Sequence, residues 1–160
     1  MKYQSFTGIG KRENNEDVIL IEKFSQEVEL YLVVDGMGGY EKGEVSARLV
    51  AENISTHLRT VEIINKTEIN NAIKKANLAV KQFNESNKIA SGATVAGIVF
   101  KLDIALCFWL GDVQIYHFLN GNLDWQSKGH RFDSDILHPT HLKSGCVSVR
   151  SFFVAPPWAM

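Results

Sequence analysis

With 160 residues, 17 Lys and Arg against 18 Asp and Glu, and a net charge of -1, the chain has room for one domain with a real core. It lacks the basic surplus that nucleic acid or an anionic membrane attracts. Two distant cysteines, Cys107 and Cys146, make neither a disulfide framework nor a zinc signature, and no stretch approaches the roughly 18 apolar residues of a membrane span, so a reducing cytoplasm is the expected compartment.

In chain order, residues 3–7 read as a weak first strand. Val18, Ile19, Leu20 and Ile21, then Leu30, Tyr31, Leu32, Val33 and Val34, are short β-branched or aromatic runs joined by the polar Ser25, Gln26 and Glu27. They predict an antiparallel pair. The period then changes: Ala47, Val50 or Ala51, Ile54 and Leu58 recur at helical spacing, with Glu44, Arg48, Glu52 and Ser55 on the other side.

A second helix is announced by Asn65 with Glu68 three residues on, a capping-box spacing. Ile69, Ile73, Ala76, Val80 and Phe83 form its apolar stripe, and it should end within residues 84–87. The strand period returns in residues 94–100, 104–110 and 113–119, and Asn120-Gly121 predicts a type I′ hairpin turn into Leu123 and Trp125. Beyond Trp125 the pattern fades; residues 130–160 hold scattered apolar positions, Pro139 and a terminal Pro156-Pro157-Trp158, with nothing longer than residues 147–154. Strands, two helices and strands again predict an α+β fold of mostly antiparallel sheet with helices laid on it. Residues 1–130 read as the domain and residues 131–160 as an atypical tail.

The residues able to carry chemistry are acidic. Glu16 and Asp17 precede one strand, and Asp35 closes the next, followed by Gly36, Gly38 and Gly39. A simple register brings Glu16 close to Asp35, and two such carboxylates repel unless a divalent cation lies between them. Gly36 offers a carbonyl with no side chain in the way, which suits an oxygen-coordinated, partly hydrated Mg²⁺ or Mn²⁺. Arg12 offers a planar fork for a phosphoryl group. Gly111-Asp112 is a third acidic contribution, although such a pair between strands is by itself usually only a turn. The histidines lack a helical H-E-x-x-H frame, so zinc is not expected.

Five separated elements, Arg12-x-x-Asn15-Glu16-Asp17, Val33-x-Asp35-Gly36-Met37-Gly38-Gly39, Gly43-Glu44-Val45-Ser46-Ala47, Ser91-Gly92-Ala93-Thr94 and Gly111-Asp112, resemble in order the PP2C family of metal-dependent serine/threonine phosphatases. The resemblance implies a four-layer α-β-β-α sandwich, two Mn²⁺ or Mg²⁺ ions, and attack by a metal-held water on phosphoserine or phosphothreonine. It implies Asp35 as the bridging ligand, Glu16 and the Gly36 carbonyl on one metal, Asp17 on metal-bound water, Asp112 near the centre and Arg12 on the phosphate. The partner implied is a phosphorylated protein, a serine/threonine kinase or its targets, in signalling, with no nucleic acid or membrane.

Two departures stand out. Val113-Gln114 replaces the family's Ser-Arg after Gly111-Asp112, and the later Ser-Asp-Gly and Asp-Asn elements are absent, leaving Asp133 and Asp135 as the only acids after Asp124. One metal's ligand set is then incomplete, and a truncated or frame-shifted phosphatase is expected. The alternative is a catalytically impaired module that binds a metal or a phosphoprotein without turnover.

Overall fold

The computed structural model describes residues 3–10, 14–37, 42–102, 104–127, 133–137 and 145–150. Strand β1 (Asp17–Lys23) pairs antiparallel with β2 (Val28–Met37), and the turn between them is closed by Phe24 N–H donating to the Val28 carbonyl at 2.9 Å. Helices α1 (Gly43–Thr60) and α2 (Lys66–Asn87) follow. Then come β3 (Gly92–Lys101), β4 (Ile104–Leu110), β5 (Gln114–Leu119), β6 (Asn122–Gln126), β7 (Asp133–Leu137) and β8 (Gly145–Arg150).

They form two sheets, one ordered β1-β2-β3-β4-β7 and the other β6-β5-β8. The two-residue period of the strands gives the first sheet two different faces. Leu30, Leu32, Val34, Val95, Val99 and Phe108 face the helices and share a core with Ala47, Ile54, Leu58 and Ile69. Alternate residues Ala96, Ile98, Cys107 and Trp109 face the other way and join Val113, just before β5, and Ile115 of the second sheet. Burying a Leu or Ile side chain in such a core contributes about 1.5–3 kcal/mol. Helices, first sheet and second sheet are the three layers among the described residues, an antiparallel α+β sandwich as expected.

Helix α2 is fixed at both ends. Asn65 Oδ1 accepts the Glu68 N–H at 3.0 Å, satisfying one orphan donor of α2, and Lys88 closes that helix in the left-handed conformation (φ 56°). Asn120 and Gly121, both at positive φ, make the predicted hairpin turn between β5 and β6.

Two sequence expectations are corrected. Residues 3–9 form no strand; Tyr3 instead stacks edge-on against Tyr31, so that segment is held by side chains rather than by a ladder on the edge strand β1. Ser55 does not lie on the outer side of α1. It is buried and donates to Glu22 Oε2 at 2.5 Å, a carboxylate that Arg59 also holds. Beyond residue 130, where periodicity fades, β7 and β8 add to β4 and β5 by backbone pairing.

Candidate metal centre

The site sits where four chain segments reach one end of the first sheet. Asp17 opens β1 and pairs with Asp35 near the end of β2; Asp35 pairs on its other side with Thr94 at the start of β3. One step past the last β3–β4 pair, Val95 with Leu110, stands Gly111. Its backbone lies so close to Thr94 that a Cβ on Gly111 would come within 2.5 Å of Thr94 Cγ2, and its φ of 97° is one that side chains rarely adopt. Asp17, Asp35, Thr94 and Gly111 therefore form one row across the sheet, and Asp112 follows directly in the β4–β5 turn. Within β2, Asp35 alternates with Val34, which faces the helices, so the row belongs to the face turned toward the second sheet.

Hydrogen bonding shows what kind of pair Asp17 and Asp35 make. The neighbouring positions exchange a backbone bond, Gly36 N–H donating to the Glu16 carbonyl at 3.0 Å, whereas Asp17 N–H is taken by Asn15 Oδ1 at 3.1 Å. Asp17 and Asp35 are thus a non-hydrogen-bonded pair, the type whose Cα atoms approach to about 4.5 Å and whose side chains lie closest. A small loop steadies the outer member: Asn15 Nδ2–H donates to Thr7 Oγ1 at 2.9 Å, and Thr7 Oγ1–H reaches Asp17 Oδ2 at 3.4 Å. Asp35 itself is only 6% exposed.

Gly36 is glycine for a measurable reason. A Cβ there would fall 2.9 Å from the Glu16 carbonyl oxygen and closer still to that of Gly43, the first residue of α1. The helix start is pressed onto the sheet beside Asp35, and the positive end of its dipole lies there.

The sequence-expected residues divide as follows. Asp17 and Asp35 come together directly. Glu16 stands one step further along, opposite Gly36, so the register gives Asp35 the neighbour Asp17 and not Glu16. Asp112 is half-buried at the same sheet end. Arg12, Gly38 and Gly39 lie outside the described residues. Sequence reasoning assigned no role to Thr94, Thr7 or Asn15; Thr94 and Asn15 each stood within one of the five motifs, while Thr7 had no signal beyond being polar.

The donor set fits a hard divalent cation in kind. Its charged donors are carboxylates, two of them on directly paired positions of β1 and β2, and Thr94 Oγ1 is buried in the same row without a hydrogen-bond partner among the described residues. Among the described residues no three His, Cys, Asp or Glu side chains close around one point. An ion here would therefore rely on backbone carbonyl and water for its remaining donors, as Mg²⁺ characteristically does.

A family model described as protein phosphatase 2C matches residues 8–132. Among solved structures, the chain is similar to a bacterial serine phosphatase at 21% identity, with a TM-score of 0.68, covering 91% of this chain and 68% of that one. It is similar to the catalytic domain of the serine/threonine phosphatase PstP, solved with two manganese ions, at 20% identity and TM-score 0.63, covering 87% and 66%. PppA of Pseudomonas aeruginosa, described as a regulatory component of a type VI secretion system, gives 20% identity and TM-score 0.63 over 79% and 66%. These identities establish likeness of fold. The chain spans about two thirds of the length of these structures. No curated protein matches it by sequence.

Proposed function

The chain belongs to the protein phosphatase 2C family of serine/threonine phosphatases, and from that premise we propose that it hydrolyses phosphoserine and phosphothreonine in proteins with Mn²⁺ or Mg²⁺. The observation that carries this reading is the close carboxylate pair Asp17 and Asp35 at a strand end, with Gly36 bare beneath the start of α1. Asp35, Glu16, Asp17 and the Gly36 carbonyl would hold the metal, with Asp112 contributing from the β4–β5 turn. Divalent ions bound there would neutralise phosphoryl charge and lower the pKa of the attacking water.

The side chains have narrower tasks. Asp35, buried and fixed by strands on both sides, sets where the charge of the site is centred. Asp17, oriented by Asn15 and Thr7, supplies the second carboxylate and can accept a proton-bearing water on its outer side. Arg12 would clamp two phosphoryl oxygens with its planar fork. The phosphatase module is taken as residues 1–130, with residues 131–160 as an atypical extension. Its partner would be a phosphorylated protein, a serine/threonine kinase or its targets, in cytoplasmic signalling. Among the described residues no helix is long and apolar enough to cross a membrane.

The test is turnover. Purified chain should release phosphate from a phosphothreonine peptide with Mn²⁺, stop in excess chelator, and fail on Asp35→Asn; release that persists in chelator would sink the proposal. A second reading, metal or phosphoprotein binding without turnover, is favoured by one observation. The two aspartates after Asp124 pair with Trp109 and Cys107, so their register positions lie below the Gly111 row rather than in it. Calorimetric Mn²⁺ binding with no phosphate released over hours would select that reading.

A further inference from the structure

Two of the five motifs have serines with no part in the candidate centre, and these serines meet. Ser46 Oγ, in the first turns of α1, lies 2.6 Å from Ser91 Oγ, just before β3, across 45 positions of chain. Ser91 Oγ–H donates to Asn84 Oδ1 at 2.7 Å, so its single proton is already used and Ser46 is the donor in the serine pair. Asn84 does more. Its Oδ1 also accepts the Ser91 N–H at 3.3 Å, and its Nδ2–H donates to the Ser91 carbonyl at 2.7 Å. Its own backbone carbonyl accepts from Lys88 and Ile89 to close α2. One asparagine thus joins the end of α2, the start of β3 and, through Ser91, the start of α1.

Those junctions adjoin the site. Three residues after Ser91 is Thr94, the cross-strand neighbour of Asp35; three residues before Ser46 is Gly43, whose carbonyl presses on Gly36. Ser46 is fully buried, so its hydroxyl cannot exchange this bond for one to water without moving the helix. We propose that Asn84 is a positioning residue for the metal centre: with Ser91 and Ser46 it fixes α1 and β3 against β2, and so fixes the cradle that holds Asp35 and Gly36. This rests on the phosphatase reading.

Calorimetric Mn²⁺ titration of the purified chain tests it. Asn84→Ala should weaken Mn²⁺ binding about tenfold, the scale of outer-shell losses at metal sites. In assays it should raise the Mn²⁺ concentration for half activity while KM for phosphopeptide holds. Ser46→Ala, which removes one bond of the set, should move both in the same direction by less, and it decides the matter if Asn84→Ala does not fold. His57→Ala is the control. His57 lies near the far end of α1, where Nε2–H donates to Glu68 at 2.8 Å and Nδ1 accepts from Lys75 at 2.9 Å, so its loss should lower stability and leave Mn²⁺ affinity unchanged. Folded Asn84→Ala or Ser46→Ala with wild-type affinity overturns the positioning role, as does an equal loss in His57→Ala. Failure of the wild-type chain to bind Mn²⁺ overturns the phosphatase reading together with it.

Discussion

Asp17 and Asp35 face each other across β1 and β2 as a pair that shares no backbone hydrogen bond, because the register puts the bond one step away, between Gly36 N–H and the Glu16 carbonyl. Like charges so placed raise the energy of the metal-free fold, and a cation between them relieves it. Asp35→Asn should therefore leave the metal-free chain as stable as wild type or more so, while abolishing stabilisation by Mn²⁺. For the wild type, Mn²⁺ at a hundred times its dissociation constant should add about 2.7 kcal/mol. Thermal melts with Mn²⁺ and with chelator measure both effects; an equal Mn²⁺-induced rise in the two proteins would exclude Asp35 as a ligand.

Gly36→Ala should be among the most damaging single methyl additions in the chain. The clashing atoms are the backbone carbonyls of Gly43 and Glu16, which cannot rotate away as a side chain would. A loss of at least about 2 kcal/mol is expected from overpacking of this kind. Gly121, at φ 82° with nothing within 4 Å of where a Cβ would stand, is the contrast: Gly121→Asn suits the left-handed turn and should cost less than about 1 kcal/mol. Urea unfolding of the two variants gives the comparison.

Burial raises the pKa of Glu22, but the hydrogen bonds from Ser55 and Arg59 and the Arg59 charge together outweigh it and hold the carboxyl below its ordinary value of 4.5. A carboxylate with a lowered folded-state pKa stabilises the fold above its unfolded value, and this contribution disappears as pH falls through the folded value. Stability should thus decline with acid from about pH 4.5 downward. Glu22→Gln should flatten that part of the profile, read from denaturant midpoints across the acid range. An unchanged slope would show that Glu22 contributes nothing to it.

Thr94→Val should stabilise the metal-free chain by about 1 kcal/mol, since it replaces a buried hydroxyl that has no partner among the described residues with a methyl of similar shape. A fall in melting temperature in chelator would show that Oγ1 is satisfied in solution by water. Mn²⁺ titration of the same variant reports separately whether the hydroxyl serves the bound ion.

The helices were readable because their information is local. The stripe of Ala47, Val50, Ile54 and Leu58 and the Asn65–Glu68 cap concern residues within a few turns of each other, and all keep their roles in the fold. Ser55 was misread for the same reason: its partner Glu22 is 33 positions away, and helical period alone ranks a serine as outward-facing. Strands 133–137 and 145–150 left little pattern because they are defined by pairing with β4 and β5. Of the candidate centre, the acidic residue types and glycines were legible as motifs. Thr7 and Asn84 were not, and Asn15 stood in a motif without showing its task, since orienting a carboxylate or joining two helices to a strand leaves no periodic trace.

By itself the sequence determined the alternation of strand and helix, the supply of hard oxygen donors and the family to which their order belongs, because composition, period and short motifs are properties of neighbouring residues. Tertiary structure alone decided that Asp17 rather than Glu16 stands against Asp35, that Gly36 is bare because Gly43 presses on it, and that Ser46, Asn84 and Ser91 form one knot. A one-residue change of register turns every side chain of a strand to the opposite face, and that choice is made by the packing of the whole sheet.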